Sequence, residues 1–125
     1  MATQIVILNS DSILLDDEYQ IPWADKGKNW VDAWVPNTVH AVIYNNLSGP
    51  NEVQNKDAST GMMTGNTSLS ATTDAVGSTT VGDLLTWGET RKGQIEAAQT
   101  AHSNAVDAGT ATDSETWRDY DSNYS

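Results

Sequence analysis

Histidine and cysteine, which supply many of the nucleophiles, general bases and metal ligands of proteins, are scarce in this chain. The 125 residues include no cysteine, and His40 and His102 are the two histidines. Neither histidine belongs to a recognisable nucleophile–base motif, and no Gly-x-Ser-x-Gly elbow or phosphate-binding loop occurs. Folding can assemble a triad from distant residues, but the sequence favours a protein without catalytic residues or a cofactor.

Acidic residues offer the remaining opportunity for a metal site. Asp16, Asp17 and Glu18 could hold a hard cation through carboxylate oxygens, but a solvated acidic turn is the favoured interpretation. Residues 119–123 begin like an EF-hand loop, yet Tyr124 occupies the position that requires glycine. The sequence therefore predicts no bound metal ion.

The charge of the chain restricts its partners. Six lysines and arginines stand against 17 acidic residues, which gives a net charge of −11. Such a chain repels nucleic-acid phosphates and anionic membrane surfaces. No run approaches the roughly 20 apolar residues of a membrane span, and the N-terminal residues lack the features of a signal peptide. We expect assembly in a cytoplasm and protein partners, with glycans left open.

The aromatic residues are unevenly distributed. The chain has five tryptophans and no phenylalanine, and Trp23, Trp30 and Trp34 lie close together in the sequence. If they are exposed, these rings could stack on sugars or on a partner chain. If they are buried, they would fill a core that has few other bulky side chains in this half. Burial is the favoured interpretation, and docking remains the alternative.

The first half of the sequence predicts short antiparallel strands. Its apolar runs are rich in β-branched residues, and clusters of Asn, Gly, Ser and Pro separate them. Together the runs predict a small sheet or meander. The predicted strands are Gln4–Leu8, Ile13–Leu15, Thr38–Tyr44, Asn51–Asn55 and Met62–Asn66.

The last third predicts helices. Apolar residues recur at helical spacing over residues 80–107, and Thr80 with Asp83 has the spacing of a capping box. A second capping-box pattern, Thr112–Glu115, predicts a short helix that includes Trp117. The long helix is therefore expected to begin at a defined cap, with a short helix after it.

The second half of the long helix carries a narrow face of small residues, Ala98, Ala101 and Ala105. Such a face buries little area per residue but lets another backbone approach closely. It therefore suits a helix–helix contact, either between two chains or within one chain. In the second case the partner would be the short helix over residues 113–120.

These elements predict an α+β fold with a small antiparallel β-sheet or meander, one long Ala-rich helix and a short C-terminal helix. We divide the chain into a β part with a Trp-rich loop (1–66), a Ser/Thr-rich connector (67–79) and a helical part (80–125). A single compact unit is expected, because 125 residues support one core and not two.

Three features follow one another between residues 34 and 96. The strand around His40-Ala41-Val42 precedes a Glu-containing return strand with the turn Lys56–Gly61, and the Trp-containing segment Leu84–Glu89 comes later. This order resembles small proteins encoded among the tail and tail-fibre genes of tailed bacteriophages, especially aquatic ones, some of them similar to tail-fibre assembly proteins. Two departures are the Ile43-Tyr44 pair, where the family usually has an aromatic such as Trp, and the absence of an Arg-rich ending.

The resemblance implies a non-enzymatic structural protein of a phage particle, associated with the tail or its fibres and located in the virion. Its partners would be fibre or tail proteins and further copies of the chain. Two alternatives remain: a fibre-assembly chaperone that leaves the finished particle, and a glycan-binding module that uses exposed tryptophans. The candidate interface residues are Trp23, Trp30, Trp34, Ala98, Ala101, Ala105 and Trp117.

Overall fold

The computed structural model describes residues 3–16, 18–28, 30, 37–45, 51–77 and 79–124. Strands occupy the first part of the chain and a long helix follows them. Two short 3-10 helices lie before β4 and near the C-terminus. In chain order the elements are β1 (Gln4–Leu8), β2 (Ser12–Leu15), β3 (Tyr19–Pro22), a 3-10 helix (Trp23–Asp25), β4 (Val39–Asn45), β5 (Glu52–Lys56), β6 (Met63–Ser68), β7 (Ala75–Val76), β8 (Thr79–Thr80), α1 (Val81–Asp107) and a second 3-10 helix (Trp117–Tyr120).

The main sheet has six strands in the order β3-β2-β1-β4-β5-β6, and the pairs are all antiparallel. Two runs of sequential strands, β1–β3 and β4–β6, meet where β1 pairs with β4. At this junction Ile7 lies opposite Val42 on one side and opposite Ile13 on the other. The expected α+β fold is confirmed, and the sheet contains β3 in addition to the five predicted strands.

The core lies between one face of this sheet and the N-terminal half of α1. Alternate residues of the strands point towards the helix, because successive side chains of a strand lie on opposite faces. Each fully buried aliphatic side chain of this kind contributes about 1.5–3 kcal/mol. The most deeply buried aliphatic residues are Ile5, Ile7, Ile13, Leu15, Ile21, Val42, Val76, Val81 and Leu84.

The helix approaches the sheet most closely at Gly88. A Cβ atom at this position would collide with Cδ2 of Leu15, a buried side chain of β2. Glycine costs a helix up to about 1 kcal/mol relative to alanine. At Gly88 that cost is offset by the close packing of α1 on β2, whereas Gly93 in the same helix faces open space.

Two segments differ from the sequence prediction. The strand β3 was not predicted, although Ile21 is buried and lies opposite Ile13 in the sheet. The predicted connector contains the end of β6, the whole of β7 and the first residue of β8, and it places Leu69 and Val76 in the core. The three-part division of the chain is not tested by these contacts and stays a prediction.

The caps of the helical part are partly as predicted. The Thr80 hydroxyl accepts a hydrogen bond from the Asp83 N–H at 3.3 Å, as expected for the start of α1. The second capping box was placed wrongly: it is formed by Thr116 and Asp119 and opens a 3-10 helix. The hydroxyl of Thr112 lies instead within 3.4 Å of a neighbouring serine hydroxyl.

We predict that Gly88→Ala lowers the free energy of unfolding by about 1–2 kcal/mol, because overpacking against Leu15 outweighs the gain in helix propensity. Gly93→Ala is the matched control and should raise the same quantity by about 0.5–1 kcal/mol. Urea unfolding followed by circular dichroism measures both. Equal stabilisation of the two variants would contradict the close contact at Gly88.

Candidate interaction surfaces

Among the described residues, Arg91 of α1 is a deeply buried charge, with a side chain that is 1% exposed. Its Nε donates to the backbone carbonyl of Asp25 at 2.9 Å, and its Nη2 donates to the Asp121 carboxylate at 2.6 Å. Its Nη1 donates to Gln94 Oε1 at 3.3 Å. The guanidinium therefore connects α1 to the loop after β3 and to the C-terminal segment.

A second ion pair reinforces the same junction. Arg118 donates from Nε and Nη2 to the two carboxylate oxygens of Asp25, both at 2.7 Å. Asp25 is buried, whereas the Arg118 side chain is partly exposed. Bidentate pairs of this geometry fix orientation as well as distance. Asp25 is thus held by Arg91 through its backbone and by Arg118 through its side chain.

The loop after β3 is shaped to admit the guanidinium of Arg91. Gly27 has φ +82°, and a Cβ atom there would lie 2.6 Å from Arg91 Nε and 2.9 Å from the Asn123 carbonyl oxygen. Next to it, the Lys28 N–H donates to that carbonyl at 2.7 Å, and Lys28 Nζ donates to the Ser122 carbonyl at 3.0 Å. A residue larger than glycine at position 27 would push apart α1, the loop after β3 and the C-terminal segment.

Taken together, Arg91, Asp25, Arg118 and Asp121 form what we term the charged junction. Its carboxylates accept hydrogen bonds from the two guanidinium groups, so its charges are neutralised locally. Burial alone would raise the pKa of Asp121, but the hydrogen bonds and charge of Arg91 lower it below its ordinary value. The junction therefore joins α1, the loop after β3 and the C-terminal segment through paired charges.

The tryptophans predicted as core or docking residues differ in how deeply they are buried. Trp30 contacts Trp23 and Trp87 edge-on, with ring centroids 5.0 and 4.8 Å apart, and Trp30 is 7% exposed. Trp23 and Trp117 are partly buried against the same core. Trp34 lies outside the described residues. Trp30 therefore acts as core, while Trp23 and Trp117 keep part of their surface exposed.

The predicted alanine face is also divided. Ala98 is buried, Ala105 is partly buried and Ala101 is exposed. The C-terminal 3-10 helix packs on α1, where the rings of His102 and Tyr120 lie 5.5 Å apart. The contact within one chain that the sequence left open is therefore present, and Ala101 remains available at the surface.

Among the described strands, β6 forms an open edge of the main sheet, which we call the β6 edge (Met63–Ser68). All six of its residues are exposed, and it pairs with β5 on its inner side. Met62, directly before it, is 70% exposed, and Met63 is 52% exposed. An exposed strand edge presents unpaired backbone N–H and C=O groups to a partner strand. The sequence predicted this strand over Met62–Asn66 but not its edge position.

A cavity of about 250 Å³ lies beside the β6 edge, under the β7–β8 hairpin. Val39, Val53 and Val76 line it, with Asn55 and Thr67 at hydrogen-bonding distance from each other within its wall. None of the described residues that line it carries an ionisable group. This lining suits a small apolar or hydroxyl-bearing side chain.

The remaining sequence candidates have structural roles or are exposed. His40 is exposed on β4, and Asp16 Oδ1 accepts hydrogen bonds from the backbone N–H groups of Thr3 and Gln4 at 2.8 and 3.0 Å. Within the described ranges, no group of three or more His, Asp or Glu residues could hold a metal ion. No helix in the same ranges is long and apolar enough to cross a membrane.

Comparison with known proteins adds no relative to this picture. No protein-family description matches the chain, and neither a curated protein nor a solved structure is significantly similar to it. Functional inference therefore depends on the surfaces described above and on the resemblance seen in the sequence.

We predict that Arg91→Met lowers the free energy of unfolding by about 3–5 kcal/mol, because it leaves the buried Asp121 carboxylate without its cation. Lys92→Met, at the neighbouring and partly exposed position, is the control and should cost less than about 1 kcal/mol. Denaturant titration compares the two. Similar losses for both variants would show that the charged junction does not hold the fold.

The lowered pKa of Asp121 predicts acid sensitivity. Because the folded-state pKa is below the unfolded-state value of about 3.9, the unfolded state binds more protons in acid. The contribution to stability is complete above that pH and is lost as the pH falls towards the folded-state pKa. Asp121→Asn should therefore be less stable at neutral pH and lose less stability between pH 5 and 2. Thermal melts across that range measure the difference, and parallel curves would contradict the assignment.

Proposed function

We propose that this chain is a non-enzymatic structural protein of a tailed-phage particle, associated with the tail or its fibres, which acts through protein–protein contacts. The observation that carries the proposal is the β6 edge, an exposed strand with open backbone groups and two exposed methionines beside it. Such an edge is a ready template for pairing with another chain. The phage setting is supported by the resemblance over residues 34–96.

Charge supports a protein partner rather than a nucleic acid. The chain carries a net charge of −11, yet residues 58–73, which include the β6 edge, contain no ionisable side chain. The edge strand itself therefore presents no charge, and the nearest carboxylate is that of Glu52 on β5, which accepts a hydrogen bond from the Asn66 side chain at 3.1 Å. The proposed location is the virion, after assembly in the host cytoplasm.

The two alternatives differ in what they require. A glycan-binding module needs exposed tryptophan faces. Because Trp30 and Trp87 are buried, the partly buried Trp23 and Trp117 would have to supply them among the described residues. A fibre-assembly chaperone would use the same β6 edge but would leave before the particle is complete. The choice between resident protein and chaperone therefore depends on the finished particle.

The test is quantitative mass spectrometry of purified phage particles after a high-salt wash, which removes proteins held by exposed charges. We expect the chain at a fixed ratio to the tail proteins. Its presence in lysate complexes with fibre protein, together with its absence from particles, would identify a chaperone. Flat tryptophan fluorescence across a panel of sugars would exclude the glycan-binding alternative.

A pair of helix variants tests whether the alanine face takes part in assembly. Ala101→Leu adds bulk to an exposed position and should reduce incorporation into particles without loss of stability. Ala98→Leu adds the same bulk inside the chain and should lower stability by about 1–3 kcal/mol through overpacking. Normal incorporation of the Ala101→Leu variant would remove this face from the proposed interface.

A further inference from the structure

The C-terminal strap, as we call residues 117–124, is attached to the rest of the chain chiefly through polar contacts. The two ion pairs of the charged junction join it to α1 and to the loop after β3. The Ser122 and Asn123 carbonyls also accept hydrogen bonds from Lys28. The fully buried apolar core of the described residues contains no strap residue, and Trp117 is only partly buried against it. The strap can therefore leave its site without opening the packing of the sheet on α1.

The strap and its site carry matching charges in a fixed order. The strap presents an arginine and, three residues later, an aspartate. The buried carboxylate of Asp25 pairs with Arg118 at 2.7 Å. The buried guanidinium of Arg91 pairs with Asp121 at 2.6 Å. A peptide that lacked either charge would leave a buried charge of the site unpaired, so the strap of a second copy fits where an unrelated acidic segment does not.

The linker between α1 and the strap (residues 108–116) determines whose site the strap reaches. Its residues are exposed or partly buried, and Gly109 turns the chain back with φ +73°. The N–H groups of Gly109 and Thr110 donate to the carbonyls of Val106 and Ala105 in the last turn of α1. If this turn straightens, the strap is carried away from its own site, while the contacts that the site offers are unchanged.

We infer that the strap of one copy of the chain occupies the site of a second copy, whose strap occupies the site of the first. Arg118 of each chain then pairs with Asp25 of the other. In the same way, Asp121 of each chain pairs with Arg91 of the other. The exchange keeps the contacts within the site and alters only the linker, so the two copies form a two-fold symmetric dimer at little cost in interactions.

Exchange competes with closure of the strap on its own chain. A short linker holds the strap near its own site at an effective concentration on the order of millimolar, so the closed monomer is expected in dilute solution. The inference rests on the proposed assembly role, because a particle would hold neighbouring copies at a comparable local concentration. It names the surface and the partner for that role.

Gly109→Ala tests the linker. No atom lies within 4 Å of a Cβ at this position, so the substitution acts through the positive φ alone. That φ disfavours an L-residue in the closed turn by roughly fivefold or more, and the straightened linker does not require it. Because a dimer contains two linkers, we expect the dimerisation constant, measured by light scattering up to millimolar concentration, to rise at least about tenfold.

Gly61→Ala is the matched control. Gly61 has φ +74° and open space around it, but it lies in the turn between β5 and β6, away from the strap. The control should lose similar stability and leave the dimerisation constant unchanged. Equal dimerisation constants for the Gly109→Ala and Gly61→Ala variants would overturn the inference.

Charge reversal tests whether the strap is the segment that is exchanged. Asp25→Lys places two cations at one ion pair, and Arg118→Glu places two anions there, so each variant weakens its own closed strap. In a mixture, exchange restores an opposite charge at both sites. We expect a 1:1 dimer in native mass spectra, at least about tenfold more abundant than the dimer of either variant alone.

Absence of this mixed dimer, when circular dichroism shows that both variants are folded, would contradict the exchange. If Asp25→Lys does not fold, the comparison of Gly109→Ala with Gly61→Ala decides the question by itself.

The outcome can be told apart from that of the proposed function. If the Gly109→Ala variant dimerises no better than its control while the chain is found in particles, the exchange is wrong and the structural role stands. If the exchanged dimer forms but the chain is absent from particles, the exchange stands and the virion role is wrong.

Discussion

The structure depends on one buried guanidinium. Arg91 reaches from the middle of α1 to the backbone of Asp25 and the carboxylate of Asp121, so it ties the helix to the loop after β3 and to the C-terminal segment. The sheet is packed on the helix by aliphatic side chains, but those contacts do not position the loop or the tail. A buried charge is costly to leave unpaired, and each of its partners is therefore fixed in place.

The charged junction also explains why the aromatic residues lie where they do. The loop that Arg91 contacts begins at Trp23. Trp30 lies in the core, where its ring packs against Trp23 and against Trp87 of α1. Trp117 directly precedes Arg118, whose guanidinium stacks on its ring. Polar contacts at the junction thus orient the large apolar surfaces that a chain without phenylalanine uses for packing.

The sequence predicts most of the fold and little of the junction. Strands such as Gln4–Leu8 and the helix over 81–107 are visible because their periodicity and caps are local. Arg91 lies 66 residues from Asp25, and Arg118 lies 93 residues from it, so no local pattern marks their contact. Similarly, β6 was predicted as a strand, but its edge position follows from the pairing of β1 with β4, which only the three-dimensional structure reveals.

The distance along the chain between Asp25 and Arg118 sets the order in which the contacts of the fold can form during synthesis. During synthesis the strands and the start of α1 emerge early and can pair, since their partners are near in sequence. The loop at Gly27 must wait for residues 118–123 before it gains its fixed contacts. The tryptophan surface next to this loop therefore stays exposed in the nascent chain. It is covered after residues 118–123 have left the ribosome.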